Sequence, residues 1–165
     1  MRWIFIILGA LALLVALVCV IGALLPRHHT ASRTAHFQAK PEAVWAVISD
    51  PSHFKEWRTE LKDVQVIDGK SWREVDSHGH AIPYEAVESV PPRRFVTRIA
   101  DRNLPFGGTW TQEIAPDGEG SRLTVTEDGE IYNVVFRFVS RFILGYTGTI
   151  DAYLRNLDRR LSAAP

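Results

Sequence analysis

Two carboxylates lie in strand-like stretches whose alternation turns them toward apolar neighbours. Glu88 follows Ile82, Tyr84 and Ala86 at two-residue spacing, and Glu127 follows Leu123 and Val125. Residues two apart in a strand share a face, so both carboxylates fall on faces otherwise built for a core. A carboxylate there is costly unless it is paired, which makes each a candidate for ligand contact or acid/base work. The other reading puts each at a strand end, in water or paired with an arginine, and the sequence leaves both open. By the same alternation Trp110 and Gln112 share the face of Ile114, so Tyr84, Glu88, Trp110, Gln112 and Glu127 are candidates for one interior surface.

Other chemistries lack the residue types or the spacing. Of the six histidines, His28 and His29 follow an apolar run, His36 and His53 belong to different elements, and His78 and His80 flank Gly79 in a turn. None forms a zinc-ligand pattern, so no metal is expected. The only cysteine, Cys19, is inside the apolar run, and no Gly-x-Ser-x-Gly elbow occurs. Gly107-Gly108 and Gly145/Gly148 lack the spacing and the lysine of a phosphate loop, so no cofactor is expected. Lysine plus arginine equals aspartate plus glutamate, for a net charge of zero. That balance argues against a nucleic-acid partner.

These residues must be positioned relative to a membrane. Ile4 to Leu25 contains no charged side chain, and as a helix it would extend roughly 33 Å, enough to cross a hydrocarbon core of about 30 Å. Arg2 and Trp3 suit one interface, and Pro26 ends the helix before Arg27, His28 and His29. The run exceeds the apolar core of a cleavable signal, so residues 1–26 read as an uncleaved anchor, 27–31 as a polar tether and 32–165 as one domain. Arg27, Arg33 and Lys40 after the span against Arg2 before it lean toward a cytoplasmic domain by the positive-inside rule.

Beyond the anchor, the periodicity changes several times. Thr34–Ala39 reads as a strand, and Pro41 opens a short helix with Val44, Trp45 and Ile48 on one face. Asp50-Pro51 caps a second short helix carrying Phe54 and Trp57. Alternating segments follow from Leu61 to Glu127, separated by turns at Asp68-Gly69, Ser77–His80, Pro91-Pro92 and Pro116–Gly120, which is the pattern of an antiparallel meander. Tyr146, Ile150, Tyr153, Leu154, Leu157 and Leu161 then recur at helical spacing. A long amphipathic helix against one curved antiparallel sheet is an α+β arrangement.

The order strand, two short helices, meander and long C-terminal helix resembles the helix-grip fold of the SRPBCC superfamily, which includes START, Bet v 1-like and polyketide cyclase/dehydrase-like proteins. The resemblance rests on Ala39–Trp45, on Ser49-Asp50-Pro51 with Phe54 and Trp57, on Val90–Phe95 and on Gly107–Trp110. It implies a deep, mostly apolar cavity between sheet and C-terminal helix, with Ile150 and Tyr153 added to its lining. The expected function is therefore a single-pass membrane protein that binds a lipid or another hydrophobic small molecule. A cyclase/dehydrase-like enzyme using groups such as Tyr84 or Glu127 is the alternative, and an accessory module of a membrane complex is a third. Val134–Leu144 is apolar almost all round, with Arg137 and Arg141 one turn apart. It reads either as a lid on the cavity or as a segment dipping into the membrane interface through Phe138 and Phe142, near the plane set by the anchor and, at its other end, by Trp3.

Overall fold

The structure is a computed structural model and describes residues 2–163. Helix α1, Arg2–Leu24, stands out from the rest of the molecule and is long and apolar enough to cross a membrane. Strand β1 (His28–Phe37) leads to α2 (Pro41–Ile48), a single 3-10 turn (Pro51–His53) and the one-turn helix α3 (Phe54–Trp57). The meander comprises β2 (Leu61–Val66), β3 (Ser71–Asp76), β4 (Ala81–Val90), β5 (Arg94–Ile99), β6 (Phe106–Asp117) and β7 (Gly120–Ile131). Helix α4 (Val134–Val139) continues into a π turn (Ser140–Leu144), and α5 (Gly148–Ser162) closes the chain. Among the described residues the seven strands form one antiparallel sheet in the order β1-β7-β6-β5-β4-β3-β2.

The boundaries follow local chemistry. Pro41 occupies the first turn of α2, where its missing N–H costs nothing. The Asp50 carboxylate accepts from the Ser52 N–H at 3.1 Å and so caps the 3-10 turn. Gly145, at φ +72°, supplies the left-handed residue that separates the π turn from α5. The sheet curls around α5, whose Ile150, Tyr153, Leu154 and Leu157 are buried. These pack with Val44 and Ile48 of α2 and Leu123 and Val125 of β7 into one core, each large apolar side chain contributing roughly 1.5–3 kcal/mol by leaving water.

One expectation needs correction here. The supposed tether is structured, because β1 starts at His28 and pairs with β7 along its whole length, His28 opposite Glu130 through Phe37 opposite Ser121. As an edge strand, β1 pairs alternate backbone groups of residues 28–31 with β7 and turns the others outward. Arg137 of α4 is turned inward. It is buried, and its Nη1 donates to the carbonyl oxygen of Leu25 at 2.8 Å. The guanidinium thereby places a cation at the negative C-terminal end of α1. Gly22 is the buried residue of α1, and a Cβ there would overlap the Val134 carbonyl. Helix α4 consequently lies against the last two turns of α1, where Val18, Cys19 and Ile21 are half-buried.

Candidate functional site

Between the inner face of the sheet and α4–α5 lies a cavity of about 620 Å³, within the size range of small-molecule sites. Its origin is steric. Gly107, Gly108 and Thr109 on β6 face Gly148, Thr149 and Ala152 at the start of α5, and short side chains on both walls cannot fill the gap between a curved sheet and a straight helix. Gly108 is required by the backbone as well, since its φ is +131° and a Cβ would overlap the Asp128 carbonyl. Farther along both elements the side chains lengthen. The Tyr153 hydroxyl donates to Gln112 Oε1 at 2.7 Å, and this bond forms the floor above the solid core.

Five of the residues expected at the site line the cavity: Tyr84, Trp110, Gln112, Glu127 and Tyr153. They come from β4, β6, β7 and α5, brought together by the curvature of the sheet. Tyr84 stacks on Trp72 with ring centroids 5.9 Å apart, and Trp110 meets Tyr153 edge to face at 5.5 Å. Burial pushes both tyrosine hydroxyls up from their ordinary pKa, reinforced at Tyr84 by the charges of Glu74 and Glu127. Both are therefore neutral donors over the physiological range.

Glu88 is elsewhere. Ala86 pairs with Thr97 but Glu88 pairs with Val96, so Val87 is an extra residue on β4 and the alternation slips by one. A bulge of this kind reverses the face of everything beyond it. Glu88 consequently points outward and accepts from Arg94 Nε at 3.1 Å. Ile150 is also absent from the lining, being wholly buried in the core with Leu123, Val125 and Leu157. Ile150→Val should therefore cost about 0.5–1.5 kcal/mol in a denaturant titration while leaving ligand affinity unchanged. A change in affinity without a change in stability would instead place its side chain at the ligand.

Several polar groups of the cavity escaped the sequence reading. Arg58, just after α3, donates to Glu60 at 2.8 Å through Nε and to Glu74 at 2.7 Å through Nη1. Trp72 Nε1 donates to the same Glu74 oxygen at 3.0 Å, and Asn156 Nδ2 donates to Glu60 at 2.9 Å. Burial alone would push the Arg58 guanidinium down, but Glu74 and Glu60 outweigh it and hold the pKa well above its usual value. The alternation that nominated Glu88 holds for Glu74, two residues after buried Trp72. The other omission is His29, which stacks on Tyr146 with centroids 4.0 Å apart and sets Nε2 3.4 Å from Glu127 Oε1. Extending the alternation of β1 backward from Phe37 and Ala35 reaches it, as Gly129 opposite leaves room for the ring.

Among the described cavity carboxylates, Glu127 is the one with a buried oxygen that lacks a hydrogen bond of normal geometry. That oxygen is Oε2, although the side chain as a whole is 21% exposed. Burial raises its pKa, and His29 together with the Trp110 side chain offsets only part of that. Among the described residues no group of three or more histidine, cysteine or acidic side chains is placed to hold a metal ion. His78 and His80 instead organise a turn around Asp76, whose pKa is held down to about 2, chiefly by the His80 side-chain bond.

A family model described as polyketide cyclase / dehydrase and lipid transport matches residues 28–162, which is most of the chain. The chain belongs to this family. Solved structures agree on the fold at low sequence identity. A START superfamily protein from Mycobacterium smegmatis is 17% identical, with a TM-score of 0.64 over 81% of this chain and 97% of that one. A conserved protein from Geobacillus kaustophilus is 16% identical, with a TM-score of 0.69 over 81% and 95%. A norcoclaurine synthase point mutant from Thalictrum flavum, in complex with a transition-state analogue, is 12% identical, with a TM-score of 0.66 over 82% and 94%. No curated protein sequence matches the chain. The family boundary at residue 28 coincides with the first residue of β1, which leaves α1 as an addition in front of a complete helix-grip domain.

Proposed function

We propose that this family member is a single-pass membrane protein that binds a lipid or another hydrophobic small molecule in the cavity under α4 and α5. The observation that carries the reading is the open volume of about 620 Å³ beside an apolar helix docked on the domain. The mouth strengthens it. Phe136, Ser140 and Leu144 line the cavity, while Phe142, Ile143 and Leu144 are largely exposed on the same segment. With α4 lying along the end of α1, a membrane-spanning α1 would set that exposed tip, together with the half-buried Phe138, at the bilayer surface. Trp3 would mark the other interface. The segment then acts as lid and as membrane contact at once, so an apolar ligand passes between bilayer and cavity without crossing water. Anchoring also raises the local concentration of any membrane-borne ligand.

A filling substitution tests this directly. Ala152→Trp puts an indole into the cavity from α5, where Ala152 lines the wall. The full chain, purified in mild detergent from its own host, should carry a hydrophobic molecule visible by native mass spectrometry. The Ala152→Trp chain should carry at least about tenfold less, since a filled pocket forfeits most of the apolar burial that drives binding. Equal ligand content in the two proteins would overturn the cavity reading.

The enzyme alternative is favoured by one observation, the convergence of Glu127, His29 and Tyr84 on the same cavity. A carboxyl with raised pKa beside an imidazole is suited to proton transfer. Turnover of a bound ligand that stops with Glu127→Gln while binding persists would shift the assignment to catalysis. The open volume itself speaks against a purely structural module.

A further inference from the structure

The charges around the cavity select among hydrophobic ligands. Its lining includes four carboxylates, Glu60, Glu74, Glu127 and Glu130, against one guanidinium, Arg58, and one imidazole, His29. Both basic groups are already engaged. Arg58 is bonded to Glu60 and Glu74 and lies against the rings of Phe54 and Tyr153, and His29 faces Glu127. Among the described lining residues no basic group is therefore free to receive a carboxylate or phosphate headgroup, and an anion would enter a surplus of negative charge.

A cation meets the opposite situation. Glu127 Oε2 is buried without a hydrogen bond of normal geometry, and the neighbouring Trp110 and His29 side chains offset only part of the cost of desolvating the carboxylate. The cross-strand partner of Glu127 is Trp110, whose ring borders the same space, and Tyr84 lines the cavity from β4. Aromatic faces beside a carboxylate form a favourable setting for an ammonium group. At the rim, Glu130 extends the negative field to the entrance, where it is held by Tyr132 and His28.

We propose that the ligand is an amphiphilic cation, a lipophilic amine whose ammonium group sits on Glu127 Oε2 and whose hydrocarbon part fills the space between β6 and α5. This rests on the hydrophobic-ligand reading and narrows it to one class of headgroup. An ammonium brings a positive charge to the carboxylate as well as its hydrogen bond, where an alcohol brings only the hydrogen bond, and a carboxylate of the same chain length repels an ionised Glu127.

The test compares dodecylamine, dodecanol and dodecanoate by titration calorimetry on the full chain in phosphatidylcholine nanodiscs. Ala152→Trp serves as the blank for partition into lipid. Dodecylamine should bind at least about tenfold more tightly than dodecanol, with dodecanoate weakest. In E127Q the amine should fall to the level of the alcohol, whose own affinity changes little. Equal binding of amine and alcohol by the unaltered chain, or a preference for the amine that survives E127Q, overturns the assignment of the headgroup and leaves the cavity reading intact. Binding of none of the three above the blank removes the cavity reading and this one with it. The ranking in the unaltered chain decides the matter even where E127Q lowers stability.

Discussion

Replacing Arg58 with methionine is expected to destabilise the domain by about 3–5 kcal/mol, a fall in melting temperature of about 10–20 °C for a domain of this size. The Arg58 side chain is 14% exposed and that of Glu74 only 6%. Methionine retains apolar volume beside Phe54 and Tyr153 but leaves Glu74 buried with a single neutral donor, Trp72 Nε1. The loss is thus mainly the cost of an uncompensated buried charge. Thermal unfolding of the full chain in mild detergent, followed by near-ultraviolet circular dichroism, measures it. The double variant Arg58→Met/Glu74→Gln removes the stranded charge and should recover roughly half of the loss. A single variant melting within about 3 °C of the parent would mean that water screens the pair, as at an exposed ion pair.

Gly22→Val is expected to separate the domain from its apolar helix. Any side chain at position 22 meets the Val134 backbone oxygen, and backbone cannot rotate aside as a side chain can. The helices must move apart, and Arg137 then loses its bond to the Leu25 carbonyl. Amide exchange in α4 should accelerate roughly ten- to a hundredfold while β6 and β7 keep their protection, because local opening is governed by the contacts of the segment concerned. Hydrogen-exchange mass spectrometry of the full chain in nanodiscs reads this out. Gly9→Val is the control, since nothing lies within 4 Å of a Cβ at that position. If both variants exchange like the parent, α4 does not depend on α1 for its position.

The close contact at Gly22 has a consequence for ligand transfer. Helix α4 supplies Phe136 to the cavity wall and leads into the turn that supplies Ser140 and Leu144. Loosening α4 from α1 should therefore alter the rate at which ligand enters and leaves more than the equilibrium affinity, because the floor at Gln112 and Tyr153 is untouched. The same coupling makes the lid and membrane-contact readings of Val134–Leu144 compatible. One side of the segment closes the pocket, and the other bears the exposed apolar tip.

The sequence and the structure part company at identifiable places. Glu88 and Glu127 look alike as the last members of alternating runs, yet only Glu127 reaches the cavity. The difference is the single extra residue Val87, and a bulge is produced by pairing with another strand, which leaves no mark in the alternation itself. From the sequence His29 reads as tether, because two adjacent histidines after an apolar run look solvated. In the folded chain, β7 extends far enough to pair with them. Arg58 and Glu60, between α3 and β2, have no periodic context that would show which way they point. Their burial is decided by Tyr153 and Asn156 arriving from the far end of the chain.

What the sequence determined alone is whatever depends on neighbours within a few residues. The uncharged run before Pro26, the two-residue alternation of the meander, the Pro and Asp-Gly stops and the helical stripe from Tyr146 to Leu161 all express local periodicity, and together they specify a helix long and apolar enough to cross a membrane and an α+β domain whose element order resembles the helix-grip fold. Only the tertiary structure decided the volume of the cavity, the unpartnered Glu127 oxygen, the Arg58–Glu74 pair and the docking of α4 on α1. Each of these is set by the distance between elements far apart in the chain. A gap, an orphaned acceptor or a buried ion pair exists only once both of its sides are in place.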